Sequence, residues 1–315
     1  MIVASCPLRV SLFGGSTDNP YFVKEYGYGS VISFTSDLKT YVTLSQDKFG
    51  FNKKEHKYII NYSKREEVIC IDDIQNEVVR VVLDYFDMPP VHVMLTSDSY
   101  SQGSGLASSS SYIISLIKAC CLFHGNQMSD TDICKLAHQL EVKFNPYCGY
   151  QDPYGCGIGG FKRIEFMDDY RVKYEYLPQE FLDDYDMHLI FTGVTRNSKK
   201  ILKNITCNLN KVQPMLEIVD EAHESIVDCD TSKFFKLMNE GWKQKKATSF
   251  AITENERIKE IDTILHMNPH VLAHKLCGAG NGGFFLTFSK RDSLTTTLDN
   301  VRIRSIPYGV TGDVI

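Results

Sequence analysis

Residues 2–13 alternate apolar and polar side chains and are rich in β-formers, so a strand is predicted at the start of the chain. VISFTSDLKTYVTLS, residues 31–45, predicts a second strand. Residues 46–67 are polar and basic around a short IINY core and predict an exposed hairpin. From Asp72, the positions Ile74, Val78, Val81, Val82 and Tyr85 recur at helical spacing, and VHVMLTSD from Val91 predicts a strand. Ser129 and Asp132 mark a helix start, Ile133, Leu136, Leu140 and Phe144 give that helix one apolar face, and Asn145-Pro146 ends it. A glycine-rich loop and the strand GGFKRIEF are predicted next, then an acidic, aromatic stretch over 168–186 that reads as a domain junction. The second half opens on the strand MHLIFTG and continues with helices over 197–208, 211–228, 231–248 and 254–267. It ends with the strand–loop–strand HKLCGAGNGGFFLTF, a short helix and a last strand, VRIRSI. Strands interrupted by helices without strict βαβ alternation imply an α+β fold in both halves.

At 315 residues the chain is long enough for two domains. A composition of 43% hydrophobic and 23% charged residues is ordinary for a globular protein. The net charge of -5 carries no basic footprint for nucleic acid, although a local site for small anions is compatible with it. The N-terminus does not read as a secretion signal, and no apolar run reaches membrane-spanning length, so a cytoplasmic protein without membrane contact is expected. The ten cysteines are scattered, without CxxC pairs or zinc-like spacing, and read as reduced buried thiols.

The most informative stretch is SQGSGLASSSSYIISLIKACCLF from Ser101, a Gly/Ser tract fused to an apolar helix. A flexible linker does not fit, because a strand precedes the tract and the helix follows without a gap. Gly103 and Gly105 can turn where a Cβ would clash, and the helix starting near Ser108 offers unpaired N–H groups and the positive end of its dipole to an anion. The dipole contributes only about 0.3–1 kcal/mol when exposed, so phosphate binding needs the whole ring of N–H and hydroxyl donors. A Walker ending is missing. The GxGxxG hits at Gly155-Gly157-Gly160 and Gly278-Gly280-Gly283 precede strands rather than helices and fail as dinucleotide fingerprints.

GSGLASSS resembles the second motif of the GHMP kinases, the superfamily of galactokinase, homoserine kinase, mevalonate kinase and phosphomevalonate kinase. PLRVSLFGGSTD resembles the galactokinase-like first motif, and KLCGAGNGGF the third, in the right order. GYQDPYGCGIGGF, FTGVTRNS and EGWKQKK are most similar to D-glycero-D-manno-heptose 7-phosphate kinases. The resemblance implies a two-domain α+β GHMP kinase fold, with a ribosomal protein S5 domain 2-like N-terminal domain over 1–180 and a ferredoxin-like C-terminal domain over 181–315. It implies an ATP-dependent anomeric sugar kinase that makes the 1,7-bisphosphate in nucleotide-activated heptose biosynthesis, with ATP and Mg²⁺ as cofactors. Small molecules are then its partners, and a homodimer is left open. A kinase for an unphosphorylated sugar, galactokinase- or fucokinase-like, and a catalytically inactive regulatory binding protein are the alternatives.

Residue by residue, the resemblance puts Asp152 in the place of the catalytic acid and Arg9 beside it, where a guanidinium keeps the acid ionised. Gly103, Ser104, Gly105, Leu106, Ala107, Ser108, Ser109, Gly278 and Gly280 would surround the ATP phosphates, and Ser109 or Ser110 with Glu141 would hold Mg²⁺. Ser16, Thr17 and Asp18 would meet sugar hydroxyls, and Arg196, ahead of a helix, the sugar's phosphate, with Lys199, Lys200, Lys162 and Arg163 as weaker candidates. Two departures stand out: Ala107 replaces the usual Gly, and Pro153 follows Asp152 where Gln is common. Trp242 and the lysines around it read as packing and solvation of a helix rather than as ligands.

Overall fold

The structure, a computed structural model, describes residues 1–46, 57–99, 103–195 and 198–315. The N-terminal half runs β1 (Ile2–Phe13), α1 (Pro20–Tyr26), β2 (Tyr28–Ser45), β3 (Tyr58–Asn61), β4 (Arg65–Val68), α2 (Glu77–Tyr85) and β5 (His92–Ser97). It continues with α3 (Ser108–His124), α4 (Asp130–Val142), α5 (Gln151–Gly157), β6 (Phe161–Met167) and β7 (Val172–Tyr176). The second half holds β8 (Tyr185–Phe191), α6 (Ser198–Thr206), α7 (Pro214–Val227), α8 (Thr231–Thr248), α9 (Glu256–Met267), β9 (Ala273–Leu276), β10 (Phe284–Lys290), β11 (Asn300–Ile303) and β12 (Thr311–Val314).

These strands form two sheets. An eight-stranded sheet runs β12-β1-β2-β5-β3-β4, with β6 and β7 branching from β2, and a four-stranded antiparallel sheet runs β11-β8-β10-β9. With helices packed on both sheets, the architecture is the expected α+β. The long strand β1 serves both halves. Ile2, Ala4 and Cys6 pack in one core under α3, whereas Leu8, Val10 and Leu12 pack with Phe234, Leu286 and Phe288 in another. The pairing of β1 with β2 shifts register between Pro7 and Arg9, where the strand passes from one core to the other. In the second sheet, period-2 alternation sends Ile190 and Phe285 to the face covered by α6 and α9. Leu189 and Leu286 go to the face covered by α7 and α8.

α3 is buried on nearly every side, as an apolar run between a sheet and other helices should be.

Several elements differ from the sequence expectation. The helix expected from Asp72 begins at Glu77, because the Asn76 side chain caps it by accepting from the Val79 N–H. Between Lys290 and Asn300 the described residues contain no helix, and Asp292 there has a left-handed φ of 55°. α1, β7 and β12 were not foreseen, and β12 returns from the second half to pair with β1. Cys70, Cys207 and Cys229 are exposed, unlike the other seven cysteines.

The most consequential difference is α5, where a glycine-rich loop was expected. Its glycines serve packing. A Cβ on Gly155 would lie 3.1 Å from the Arg9 side chain, and one on Gly157 2.3 Å from Cys134 Sγ. Both ends of this short helix are satisfied electrostatically. Asp18 accepts from the Gln151 N–H at 3.0 Å, and the buried Lys162 ammonium donates to the carbonyls of Gly155 and Gly160 at 3.1 Å. Lys162, pushed down to about 7 by burial, is therefore a prop beneath α5 and not a cleft residue. Among the described residues no helix is long and apolar enough to cross a membrane.

Candidate active site

A cleft of about 400 Å³ opens where the start of α3, the end of α4, the start of α5, the loop after β1, α6 and the turn before β10 meet. Its floor is set by backbone. Gly103, Gly105 and Ala107 have φ of 71°, 81° and 62°, a left-handed residue at every second position. Such alternation folds the backbone into a concavity whose N–H groups converge. No side chain caps the N-terminus of α3, so its first N–H groups are available to an anion. Ala107 lies outside the helix, in a conformation that costs a residue with a Cβ about 1–2 kcal/mol. The substitution of Ala for Gly is thus a strained one rather than a neutral helical one. Ser104 Oγ meets Ser108 Oγ at 2.9 Å and accepts from the Leu106 N–H at 3.2 Å. Leu106 is fully buried and faces away from the cleft.

The glycine turn of the second half closes directly on this loop. The Phe284 N–H donates to the Ser104 carbonyl at 3.2 Å, and a Cβ on Gly283 would lie 2.2 Å from the same oxygen. Gly278 lines the cleft, whereas Gly280 packs on Ile252 outside it.

Opposite the floor, Asp152 stands in the first turn of α5. Arg9 reaches it from β1, with Nη2 at 2.6 Å and Nε at 3.2 Å from Oδ1, and donates through Nη1 to the Gly105 carbonyl at 2.8 Å. One buried guanidinium therefore ties the acid to the loop before α3. Asp18 is buried beside the pair and accepts from the N–H groups of Ser16 and Gln151 at 3.0 Å. Burial and then repulsion by Asp152 push its pKa up to about 6. A Cβ on Gly149 would lie 1.9 Å from Asp18 Oδ2, so that glycine makes room for the carboxylate.

Glu141, near the end of α4, points into the cleft although it is almost wholly buried. It accepts from Ser110 Oγ at 2.5 Å, and burial followed by repulsion from Asp152 pushes its pKa up to about 8. Among the described residues its side chain makes no ion pair within 4 Å.

Residues 73–160 match the family described as GHMP kinases N terminal domain. A D-glycero-alpha-D-manno-heptose 7-phosphate kinase from Campylobacter jejuni is 28% identical over 90% of this chain and 87% of its own length. A galactokinase from Thermotoga neapolitana is 24% identical over 80% of this chain and 68% of its own. Residues 73–160 are thus a GHMP kinase N-terminal domain. The crystal structure of a D-glycero-D-manno-heptose 1-phosphate kinase from Bacteroides thetaiotaomicron shares the fold, with a TM-score of 0.78 at 19% identity over 100% of this chain and 99% of that one.

The cleft gathers Arg9, Ser16, Asp18, Gly103, Ser104, Gly105, Ala107, Ser108, Ser109, Glu141, Asp152 and Gly278 from the residues singled out in the sequence. Thr17 does not line it. Its hydroxyl is buried against the carbonyls of Gly14 and Ser30 at 2.8 and 2.7 Å, where it holds the first-motif turn on β2. Ser110 is fully buried and reaches the cleft only through Glu141. Arg163 binds Asp220 at 2.5 Å, joining β6 to α7. Arg196 lies outside the described residues, as do the side chains of Lys199 and Lys200.

Sequence reading missed Asn19, Asn145, Gln151 and Lys245, all of which line the cleft. For Lys245 a signal existed. It falls three residues after Trp242 and seven after Met238, on the buried stripe of α8, whereas Lys243 is exposed and Lys246 pairs with Asp262 at 2.6 Å.

Proposed function

We propose that this kinase transfers the γ-phosphoryl group of ATP to the anomeric hydroxyl of D-glycero-D-manno-heptose 7-phosphate, giving the 1,7-bisphosphate for nucleotide-activated heptose biosynthesis. The observation that carries phosphoryl transfer is the Arg9–Asp152 pair, held in one cleft with the uncapped N-terminus of α3. The choice of sugar rests on the likeness to the Campylobacter enzyme.

In this reading the N–H groups of the loop before α3 and of its first turn bind the phosphates of ATP. The C1 oxygen of the sugar attacks the γ-phosphorus, the bond from that phosphorus to the β,γ-bridging oxygen breaks, and ADP leaves. Asp152 orients the hydroxyl and receives its proton. Both bonds from Arg9 fall on Oδ1 and neither uses Oδ2, which leaves one oxygen to serve the substrate. Asp18 and Ser16 accept and donate hydrogen bonds at the sugar end.

Mg²⁺ fits the residues present. Among the described residues there is no cluster of three or more His, Cys, Asp or Glu that would form an all-protein metal centre. Glu141 and Ser109 line the cleft and would hold Mg²⁺, with Ser110 behind them orienting the Glu141 carboxyl through its hydroxyl; so sparse a set of hard oxygens suits an ion shared with nucleotide phosphates. When bound, the ion neutralises phosphate charge.

Arg196 is the proposed receptor for the sugar's phosphate. It stands just ahead of α6, whose Leu202 and Ile205 line the cleft. The galactokinase likeness favours a second reading, an unphosphorylated sugar. ADP release measured with ATP, Mg²⁺ and a panel of sugars and sugar phosphates, followed by phosphorus NMR of the product, decides between them. Turnover of galactose or fucose in preference to any sugar phosphate overturns the heptose reading. Tight binding without turnover of any substrate supports a regulatory protein instead. Arg196→Ala is expected to raise KM for the sugar phosphate far more than for ATP.

A further inference from the structure

The cleft has an unusual charge balance for a site that is to hold ATP. Among the described residues lining it, Asp18, Glu77, Glu141 and Asp152 are acidic, against Arg9 and Lys245. Arg9 is engaged by Asp152 and by the Gly105 carbonyl. Among the described residues, Lys245 is the cation that reaches this cleft apart from that pair.

Its setting is built rather than incidental. Lys245 is 6% exposed, on the apolar stripe of α8 that also buries Met238 and Trp242. A lysine is rarely placed so deep unless its ammonium finds acceptors. Here it donates to the Gly278 carbonyl and, at 3.5 Å, to that of Leu276, at the end of β9 and in the glycine turn that follows. Gly278 and Ala279 of that turn line the cleft together with Ser104, Ser108 and Ser109 of the facing loop. The turn itself is anchored on the same loop through Phe284 and Ser104. The ammonium thus sits where the two phosphate-type loops converge.

We propose that Lys245 is a nucleotide-binding residue of this kinase: its charge faces the polyphosphate of ATP while its hydrogen bonds fix the third-motif turn. The proposal rests on the kinase reading above and adds a cation that the three motifs do not contain.

Three variants separate charge from anchoring. Lys245→Met removes both, Lys245→Gln keeps a donor for the carbonyls without the charge, and Lys245→Arg keeps the charge. Binding of ATP, ADP and adenosine is measured by calorimetry, alongside steady-state KM for the sugar substrate. Lys245→Met and Lys245→Gln are expected to weaken ATP and ADP by about tenfold or more, the scale of a lost charge-assisted hydrogen bond. Adenosine affinity and the sugar KM should change by less than about twofold, and Lys245→Arg should recover most of the ATP affinity. If Lys245→Gln binds ATP like the wild type, the residue only anchors the turn and the proposal fails. Equal losses for adenosine and ATP overturn it as well. Should Lys245→Met fail to fold, the Gln and Arg variants still decide. A wild-type protein that binds no ATP sinks the kinase reading itself, a distinct result.

Discussion

Arg9 Nη2 and Nε both bond Asp152 Oδ1, at 2.6 and 3.2 Å, across 143 residues of chain. Gly155 completes the relationship. It lies one turn after Asp152 on α5, and any side chain there would press on the Arg9 methylenes from 3.1 Å. The salt bridge and the glycine are thus one device: α5 lies close enough to β1 for the guanidinium to reach back to the first turn of the helix.

Asp152→Asn keeps the shape but loses the charge that receives the proton. kcat should fall by about 10²–10⁴-fold, the usual range for a positioned base. ATP affinity should stay within about threefold, because the phosphate loop is untouched. A coupled ADP-release assay with ATP titration reads both, and an unchanged kcat would remove Asp152 from the chemistry.

Glu141→Gln tests the metal assignment. The amide preserves the bond with Ser110 in shape but is a much weaker ligand for a hard cation. The Mg²⁺ concentration for half-maximal activity at fixed ATP should rise about tenfold or more. Melting of the nucleotide-free protein should not suffer, since the buried carboxyl at that position is held largely uncharged near neutral pH, its pKa being about 8. No change in Mg²⁺ demand would reject Glu141 as a ligand.

Asp18 predicts a pH signature. With its pKa at about 6, the free enzyme should show an acid limb near that pH in kcat/KM for the sugar, because only the carboxylate accepts hydrogen bonds from two donors at once. A phosphorylated substrate titrates near pH 6 as well, so the comparison with Asp18→Asn isolates the protein's part. Stability carries the opposite sign. A raised pKa means that the folded state binds more protons than the unfolded state between pH about 3.8 and about 6, so this group's contribution is present below that window and lost above it. The melting temperature of Asp18→Asn relative to wild type should therefore rise between pH 4 and pH 7. A difference independent of pH would show that Asp18 does not titrate in that window.

Gly283→Ala should separate the two phosphate-type loops. Its φ is 90° and the new methyl would meet the Ser104 carbonyl oxygen at 2.2 Å, backbone against backbone. ATP affinity should drop by about tenfold or more, with a fall in melting temperature. Gly27→Ala is the control: its φ is 75° but nothing lies within 4 Å of the new Cβ. That variant should show only the left-handed strain of about 1–2 kcal/mol, with normal ATP binding. Equal ATP affinity in the two variants would dissociate the loop contact from nucleotide binding.

What was legible in the sequence was what short-range chemistry decides. The apolar alternation of β1, the uninterrupted run of α3, the Ser129 cap of α4 and the helical stripes of α7 to α9 follow from propensity, capping and period. The loop before α3 was legible for the same reason, since left-handed turns ask for glycine and an uncapped helix start is visible in its neighbours. α5 was misread because Gly155 and Gly157 look the same in a sequence whether they bend a loop or let a helix pack closely. Only the contacts with Arg9 and Cys134 distinguish the two. Thr17 and Lys245 were misassigned alike. A threonine in a motif turn carries no mark of which way it points, the helical spacing of Lys245 from Met238 and Trp242 shows that it is buried but not what it meets, and the carbonyls that capture both come from distant elements.

The sequence by itself therefore determined most of the elements and the glycine-rich turn that opens α3, because each depends on a few adjacent residues. Only the tertiary structure decided which side chains share a cleft. The pairing of Arg9 with Asp152, the docking of Ser104 on Phe284 and the return of β12 to β1 join residues roughly 140 to 310 positions apart. Such contacts arise from burial and hydrogen-bond satisfaction summed over the whole fold, which no local window of residues contains.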